Sequence, residues 1–368
     1  MGYVEDLRGK KQGQGRPRYR ARYRDPAGRE RAKSFVRKTD AERFLRQVEA
    51  DKLRGHWVDP RRGRTTVGEL AERWYETTVG LKATTRKDYR SLLDTHVLPA
   101  FRDQAVATID TLTVRGWLAR MLDGGLSSSR ATHAYHVLAA VLEAAVQAGV
   151  IARNPTAGVR RPRIRQREMH FLSAAQVEEL AEAIRSPYGS LVRFAAYTGL
   201  RAGEIVALRV RRLDLDRGTV RVVESTSDVR GYLIAGPTKS YAERTVRLPR
   251  FLCEELSVYL DDRSADPDAF VFTALGGGQL RHNNFYRRDF KPALFRAGLP
   301  ERVRFHDLWH TCASLLIAQG AHPKAIQLHL GHSSIQITMD RYGHLLPDEL
   351  GHLADRLDAA RTALRAGE

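Results

Sequence analysis

The sequence has 368 residues, which is long for a single compact core and suits two or three domains. Hydrophobic residues make up 42% of it and charged residues 28%, a composition that excludes a disordered chain. The formal net charge of +18 predicts a polyanionic partner, and nucleic acid is the first candidate because a basic surface releases counterions from a phosphate backbone.

The number of cysteines and the hydropathy indicate the cellular compartment in which the protein is expected. Cys253 and Cys312 are the two cysteines of the sequence, so a disulfide framework and a cysteine-based zinc cluster are excluded. No run of about 18 apolar residues occurs, and Glu5 and Asp6 lie where a signal peptide would be apolar. We expect a cytoplasmic protein that neither enters a membrane nor is exported.

The first 64 residues carry 20 Lys and Arg against 9 Asp and Glu. Arginines alternate with aromatic or small residues from Arg18 to Arg24, and turn residues at 25–28 precede a second strand-like run at 30–36. A helix is predicted from Thr39 to about Arg54, with apolar residues on one face. We therefore predict that residues 1–62 form a small three-stranded β-sheet plus a helix.

This N-terminal module is a candidate DNA-binding element, because an arginine-lined β-ribbon can enter a DNA groove. The alternative is a solvated charged sheet face without a ligand. The candidate DNA-binding residues of the module are Arg18, Arg20, Arg22, Arg24 and Lys33.

Residues 65–158 show helical periodicity and predict an all-α domain, with segments near 67–75, 84–97, 113–122 and 128–148. Proline and dense positive charge then mark residues 159–170 as a basic linker. Its arginines are further candidates for contact with a phosphate backbone: Arg160, Arg161, Arg163 and Arg165.

Residues 171–368 form the third region, a mixed α+β domain that is mostly helical. Ser173 is predicted to cap its first helix, and strand-like runs occur at 219–223, 232–235 and 244–248. A C-terminal helix at 348–364 has one apolar stripe, which either docks into a neighbouring protomer or caps its own domain. The residues of that stripe are Leu350, Leu353, Leu357, Ala360 and Leu364.

Four short motifs stand in order along the third region. They are TGLRAGE at 198–204, PTKS at 237–240, HDLWH at 306–310, and LGH at 330–332 followed by Tyr342 ten residues later. Each motif alone is weak evidence, because an arginine after a glycine turn is usually a surface group and a tyrosine near a helix end usually lies in a core. Their order is the informative feature.

Together these residues match phosphoryl transfer without a metal. A phosphodiester under attack gathers negative charge on its nonbridging oxygens, which Arg201, His306 and His332 would stabilise as cationic or hydrogen-bonding donors. Lys239 would protonate the leaving oxygen as general acid. Tyr342 would attack phosphorus through its phenol oxygen and form a covalent intermediate.

On these motifs the chain resembles the tyrosine recombinases, and among them the integrases of phages and integrative elements. The resemblance extends over nearly the whole chain and implies an arm-type DNA-binding module, a helical SAM-like core-binding domain and a catalytic domain. It implies a site-specific recombinase that integrates or excises a phage or mobile element through a 3′-phosphotyrosine intermediate, with no cofactor. It also implies a homotetramer on the double-stranded DNA of attachment sites in a bacterial host, with DNA-bending accessory proteins and excision factors.

The resemblance assigns roles to particular residues. Arg201 is implied as the first catalytic arginine, supported by Glu204, and Tyr342 as the nucleophile. His306 and His332 are implied as the two histidines of the site. Lys239 is implied as the hairpin lysine that acts as general acid.

One position departs from the family pattern. Members carry an arginine three residues after the first histidine, where this chain has Trp309, followed by His310. An indole offers one neutral N–H donor, whereas a guanidinium offers a charged bidentate fork. Either the substitution impairs an otherwise intact recombinase, or His310 or another cation compensates for it.

Three other functions compete with an active recombinase. His306 and His310 are four residues apart on a predicted helix, which suits two zinc ligands, although no third ligand is evident. A degenerate recombinase would bind DNA without cleaving it. A transcription factor built on the N-terminal module would leave the four ordered motifs unexplained.

Overall fold

The computed structural model describes residues 2–7, 18–26, 28–53, 64–164, 168–238, 243–261, 266–346 and 350–366. The chain forms two compact units, residues 1–166 and 167–368. The fold class predicted from the sequence is confirmed. A small sheet with a helix comes first, an all-α region follows, and a mostly helical α+β region ends the chain.

The N-terminal module has a three-stranded antiparallel sheet in the order β1–β2–β3 with one helix against it. Alternation along β2 turns Ala21 and Tyr23 toward the helix, where both are buried beside Leu45 and Val48. The elements are β1 Tyr3–Asp6, β2 Tyr19–Arg24, β3 Glu30–Phe35 and α1 Lys38–Leu53.

The helical domain follows the predicted segments closely. Thr66 and Glu69 form a reciprocal capping box at the start of its first helix. The rings of Phe101 and Trp117 meet edge to face at 5.3 Å in its core. Its helices are α2 Val67–Glu76, α3 Ala83–Leu92, α4 Leu98–Phe101, α5 Thr111–Asp123 and α6 Ser128–Gln147.

The second unit combines helices with two small antiparallel sheets, β4–β5–β8 and the hairpin β6–β7. Ser173 caps the first helix through the backbone N–H of Gln176, as predicted. Its strands are β4 Leu213–Asp214, β5 Thr219–Val222, β6 Glu224–Val229, β7 Tyr232–Pro237 and β8 Arg244–Arg247. Its first helices are α7 Ala174–Ala183, α8 Tyr188–Thr198, α9 Ala202–Ala207 and α10 Arg250–Asp261.

The remaining helices lead to the C-terminus. They are α11 His282–Phe285, α12 Lys291–Arg296, α13 Phe305–Ala318, α14 Pro323–Leu330, α15 Ile335–Tyr342 and α16 Leu350–Ala366. Side chains from Ala354 to Arg365 on α16 are exposed, including Leu357 at 72% and Leu364 at 77%. This part of the apolar stripe therefore does not cap its own domain. Among the helices that the structure describes, none has the length and hydropathy needed to cross a bilayer.

Candidate active site

Arg201 enters the site through a glycine turn between α8 and α9. Gly199 ends α8 in the left-handed conformation at φ 59°, and a Cβ there would lie 2.5 Å from Leu330. Only glycine fits a turn that is both left-handed and in close contact. The turn places Arg201 at the cap of α9, where its guanidinium lies 5.5 Å from the centre of the Trp309 ring.

Glu204 holds Arg201 in place. Its Oε1 accepts from Nη1 of Arg201 at 3.0 Å, and its Oε2 accepts from the backbone N–H of Arg201 at 2.9 Å. Burial opposes the charged carboxylate, but hydrogen bonds and charge from Arg244 and Arg201 outweigh that effect and lower the pKa of Glu204. The supporting role predicted for Glu204 matches this geometry.

Arg244 on β8 was not identified from the sequence. Its two terminal nitrogens donate to Oε1 and Oε2 of Glu204 at 3.0 and 2.7 Å, and its Nε donates to the carbonyl of His329 at 3.1 Å. No motif marks this position, because an arginine on a strand ordinarily points to solvent. The one feature of the sequence that could have indicated Arg244 is its position at the start of the strand that follows the predicted catalytic lysine.

The helix α13 carries three aromatic residues of the HDLWH motif into the site. Asp307 caps the helix by accepting from the backbone N–H and side chain of Arg304. His306 is exposed, and its ring stacks on Trp309 at a centroid distance of 5.0 Å and an angle of 12°. Partial desolvation of the imidazole, followed by the charge of Arg304, lowers the pKa of His306.

Trp309 occupies the centre of the cluster. Its side chain is 4% exposed, and its ring lies 5.1 Å from that of His332 at 72°. Its Nε1–H has no hydrogen-bond partner among the described residues. A neutral indole therefore fills the position where the family pattern places a guanidinium.

His332 lies in the turn between α14 and α15. Its Nδ1 is 2.7 Å from Oγ1 of Thr338, and its Nε2 has no partner within the described part of the chain. Burial, followed by the charges of Arg201 and Arg341, lowers the pKa of His332 to about 4. The imidazole is thus neutral at pH 7 and can offer one N–H to a ligand.

Tyr342 is the last residue of α15 and is 1% exposed. Its phenol oxygen lies 2.8 Å from Nδ1 of His310, whose pKa is lowered to about 4 by burial and by His306. Burial raises the pKa of Tyr342 well above its ordinary value. The ring of Tyr342 lies 6.2 Å from that of His332 at 19°, so the predicted nucleophile is beside the predicted phosphate-binding residues.

The structure thus brings together seven of the eight predicted site residues from four elements of the second unit. The eighth, Lys239, lies outside the described residues. The rings of His306 and His310 are 5.0 Å apart, as their spacing predicts. Across the described ranges, no group of three or more His, Cys, Asp or Glu side chains is arranged to hold a metal ion.

The arginines of the N-terminal module are divided between two environments. Arg20, Arg22 and Arg24 share the sheet face opposite α1, but Arg22 is paired with Glu5 at 2.8 Å and Glu30 at 3.0 Å. Arg18 is exposed next to the start of β2. Lys33 lies on the helix side of the sheet, with its Nζ 4.9 Å from the centre of the Phe44 ring.

The basic linker keeps its arginines at the surface as far as the structure describes it. Arg160, Arg161 and Arg163 are exposed, and Nη1 of Arg161 lies 3.3 Å from Nε2 of His136. Arg165 lies outside the described residues. These side chains are available to a polyanion.

Two family models match the chain. The phage integrase family matches residues 170–349, and the phage integrase central domain matches residues 67–162. A putative prophage phiRv2 integrase of Mycobacterium tuberculosis is 30% identical over 341 residues, which cover 89% of this chain and 88% of the relative. An integrase of Mycobacterium phage L5 is 29% identical over 261 residues, which cover 69% of each chain.

Solved structures show the same fold. A Tn1549 transposon integrase in complex with transposon right end DNA superposes with a TM-score of 0.69 at 20% identity, covering 80% of this chain and 100% of that one. A lambda integrase tetramer bound to a Holliday junction superposes with a TM-score of 0.56 at 20% identity, covering 85% and 93%. The likeness extends over both compact units of the chain.

Proposed function

Because the chain belongs to the phage integrase family of tyrosine-type site-specific DNA recombinases, we propose that it cuts and rejoins DNA through a 3′-phosphotyrosine formed on Tyr342. The phenol oxygen attacks phosphorus, the bond from phosphorus to the 5′ oxygen breaks, and that oxygen leaves as a hydroxyl. The reverse attack by the hydroxyl of a partner strand then restores a phosphodiester and frees the phenol. The biological outcome is integration or excision of a phage or mobile element.

The observation that carries this proposal is the convergence of Arg201, His306, His332 and Tyr342 on one buried aromatic cluster. Arg201 supplies fixed positive charge for the nonbridging oxygens, while His306 and His332 supply ring N–H donors. Their preorganisation by Glu204 and Thr338 supports a binding site for an anionic phosphorus centre.

Two protons must move during cleavage. In the tautomer of His310 that carries its proton on Nε2, Nδ1 lies 2.8 Å from the oxygen of Tyr342 and can accept the phenol proton. The leaving 5′ oxygen takes a proton from Lys239, the residue that the motif order assigns as general acid. Lys239 lies outside the described residues, and its assignment is supported by its position in the sequence before β8, whose first residue Arg244 contacts Glu204.

Trp309 supports a second candidate function, that of a recombinase impaired in cleavage. Loss of one preorganised donor slows comparable reactions by about 100- to 1,000-fold, and Trp309 carries no charge. Such a protein would occupy its DNA sites and assemble there without efficient strand cutting.

Assembly and location follow from the same proposal. We infer a homotetramer acting on two duplexes of double-stranded DNA, supported by the exposed leucines of α16 and by the tetramer formed by the lambda integrase neighbour. DNA-bending accessory proteins and excision factors would set the direction of the reaction. The bacterial cytoplasm is the compartment in which that DNA is found.

One experiment tests both functions. The full-length protein is incubated with nicked duplexes that carry a randomised central segment, and covalent protein–DNA complexes are recovered from a denaturing gel. A band that disappears with Tyr342→Phe supports strand cleavage. DNA binding without any band, even for Trp309→Arg, contradicts an active enzyme. EDTA is expected to leave the band unchanged, and inhibition would favour the histidine–metal alternative.

A further inference from the structure

Arg244 is bound within the protein at all of its nitrogens. The side chain is 9% exposed, and its fork meets both oxygens of Glu204 while Nε meets the carbonyl of His329. A guanidinium whose nitrogens all donate to protein acceptors has a fixed position and its positive charge stays inside the protein. It differs in this respect from the exposed arginines of the linker.

Glu204 is shared between two arginines. Its carboxylate is 2% exposed and accepts hydrogen bonds from Arg201 as well as from Arg244. If Arg201 were its one partner, the negative charge of Glu204 would cancel the positive charge that a phosphate requires. With Arg244 present, two guanidinium groups surround one carboxylate, and the three side chains keep one net positive charge.

Arg244 also contacts the turn that carries His332. A Cβ on Gly331, which has φ +69°, would lie 3.1 Å from Cδ of Arg244 and 3.3 Å from its Nε. Nη2 of Arg201 reaches the carbonyl of the same Gly331 at 3.5 Å. The backbone before His332 is therefore packed against one arginine and hydrogen-bonded to the other.

We propose that Arg244 is a positioning residue for DNA cleavage: it balances the charge of Glu204, so that Arg201 keeps its positive charge for the phosphate, and it fixes the turn of His332. This inference rests on the proposed function, because it concerns the same phosphate. Arg244 touches neither the phosphate nor the reacting oxygens, and it acts through Glu204 and the Gly331 turn.

The test compares charge variants in full-length protein carrying Trp309→Arg, the background in which cleavage is expected to be easiest to measure. Arg244→Gln leaves Glu204 without its second cation and should slow covalent complex formation by about 100-fold. Adding Glu204→Gln removes the unbalanced carboxylate and should restore the rate by about tenfold over Arg244→Gln alone. A purely structural role predicts the opposite, since a second buried substitution would add to the damage.

The control is Arg247→Gln on the same strand, where the side chain is exposed and donates to the carbonyl of Arg217. It should match the parent in cleavage rate, in binding to the same nicked duplexes, and in thermal unfolding. Arg244→Lys, which keeps the charge but loses the fork, should fall between the parent and Arg244→Gln. It also provides a folded variant if Arg244→Gln does not fold.

Two outcomes would overturn the proposal. In the first, Arg244→Gln cleaves at the parental rate, or Arg244→Lys does so where Arg244→Gln does not fold. In the second, the double variant with Glu204→Gln cleaves no faster than Arg244→Gln alone. Absence of a covalent band from the parent itself contradicts the proposed function and removes the basis of this inference with it. A parental band with unaffected Arg244 variants contradicts the inference alone.

Discussion

The phenol oxygen of Tyr342 lies 2.8 Å from Nδ1 of His310, and the two side chains are 1% and 2% exposed. The proposed nucleophile is therefore held by a hydrogen bond inside the second unit. Both residues belong to the cluster around Trp309, so changes at these positions test the chemistry most directly.

Replacing Trp309 with arginine should increase the rate of covalent complex formation by about 100- to 1,000-fold, because a charged donor returns to the phosphate site. Single-turnover cleavage of a nicked duplex measures this rate. Trp309→Phe is the control, since it keeps an aromatic ring against His306 and adds no charge. A folded Trp309→Arg protein that cleaves no faster than the parent would show that another cation already compensates.

The gain from Trp309→Arg should depend on the charge of the DNA phosphate. A duplex with a methylphosphonate at the cleaved position lacks one anionic oxygen, so a second cation has less charge to stabilise. We expect the ratio of the cleavage rate of Trp309→Arg to that of the parent to be about tenfold or more smaller on this substrate than on the unmodified duplex. An unchanged ratio would mean that arginine acts by restoring packing and not by its charge.

Tyr342→Phe should abolish the covalent complex while leaving DNA affinity unchanged, because the phenol oxygen is the proposed attacking atom. It should also lower the free energy of unfolding by about 1 kcal/mol, since Nδ1 of His310 loses its partner in a buried position. Denaturing gels measure the first effect and urea denaturation the second. A covalent complex that persists in this variant would exclude Tyr342 as the nucleophile.

The stability of the second unit should fall on mild acidification. The pKa values of His310 and His332 are lowered from 6.5 to about 4 in the folded protein, chiefly by burial. Unfolding therefore takes up protons below pH 6.5, and the stability present above this pH is lost as the pH falls toward 4. Solvent screening reduces the effect of these shifts, so the loss is on the order of 1–2 kcal/mol for each histidine.

Urea denaturation of the full-length protein between pH 7.5 and pH 4.5 measures this loss, and His332→Gln should reduce its slope. His322, which is on the surface at the start of α14, provides a matched control in His322→Gln. Equal slopes for the parent and His332→Gln would mean that folding does not lower the pKa of His332.

The arginines of β2 should contribute unequally to DNA affinity. Arg20→Ala or Arg24→Ala should each reduce the slope of log affinity against log salt concentration by about one. Arg22→Ala should leave the slope nearly unchanged, because Glu5 and Glu30 already pair with Arg22. Titrations of duplex DNA at several salt concentrations measure the slopes. An equal reduction for all three would show that Arg22 leaves its acidic partners on binding DNA.

The sequence predicted most of the site because its residues lie in short motifs whose geometry is local. Gly199 and Arg201 are set by a glycine turn, and His306, Trp309 and His310 by the period of one helix. Their proximity to His332 and Tyr342 was predicted on the single assumption that the four motifs form one site. The fold class followed from periodicity in the same way.

Other features depended on contacts that no local pattern records. Arg244 is placed by a carboxylate 40 residues away, and Arg22 by acidic residues on two neighbouring strands. The strand β6 was missed because its sequence ESTSDV is polar except for Val229, and pairing with β7 defines it. The hydrogen bond between His310 and Tyr342 joins residues 32 positions apart and could not be predicted from local sequence either.

The position of Trp309 has a spectroscopic consequence. Its indole is in contact with His306 and His332 and lies 5.5 Å from the guanidinium of Arg201. Of the other three tryptophans, Trp74 and Trp117 belong to the helical domain and Trp57 lies outside the described residues. We expect the difference in emission between the parent and Trp309→Phe, which isolates this indole, to respond to protons and anions that reach those rings. The residue that departs from the family pattern thus gives the protein an internal fluorophore at the place where DNA would be cut.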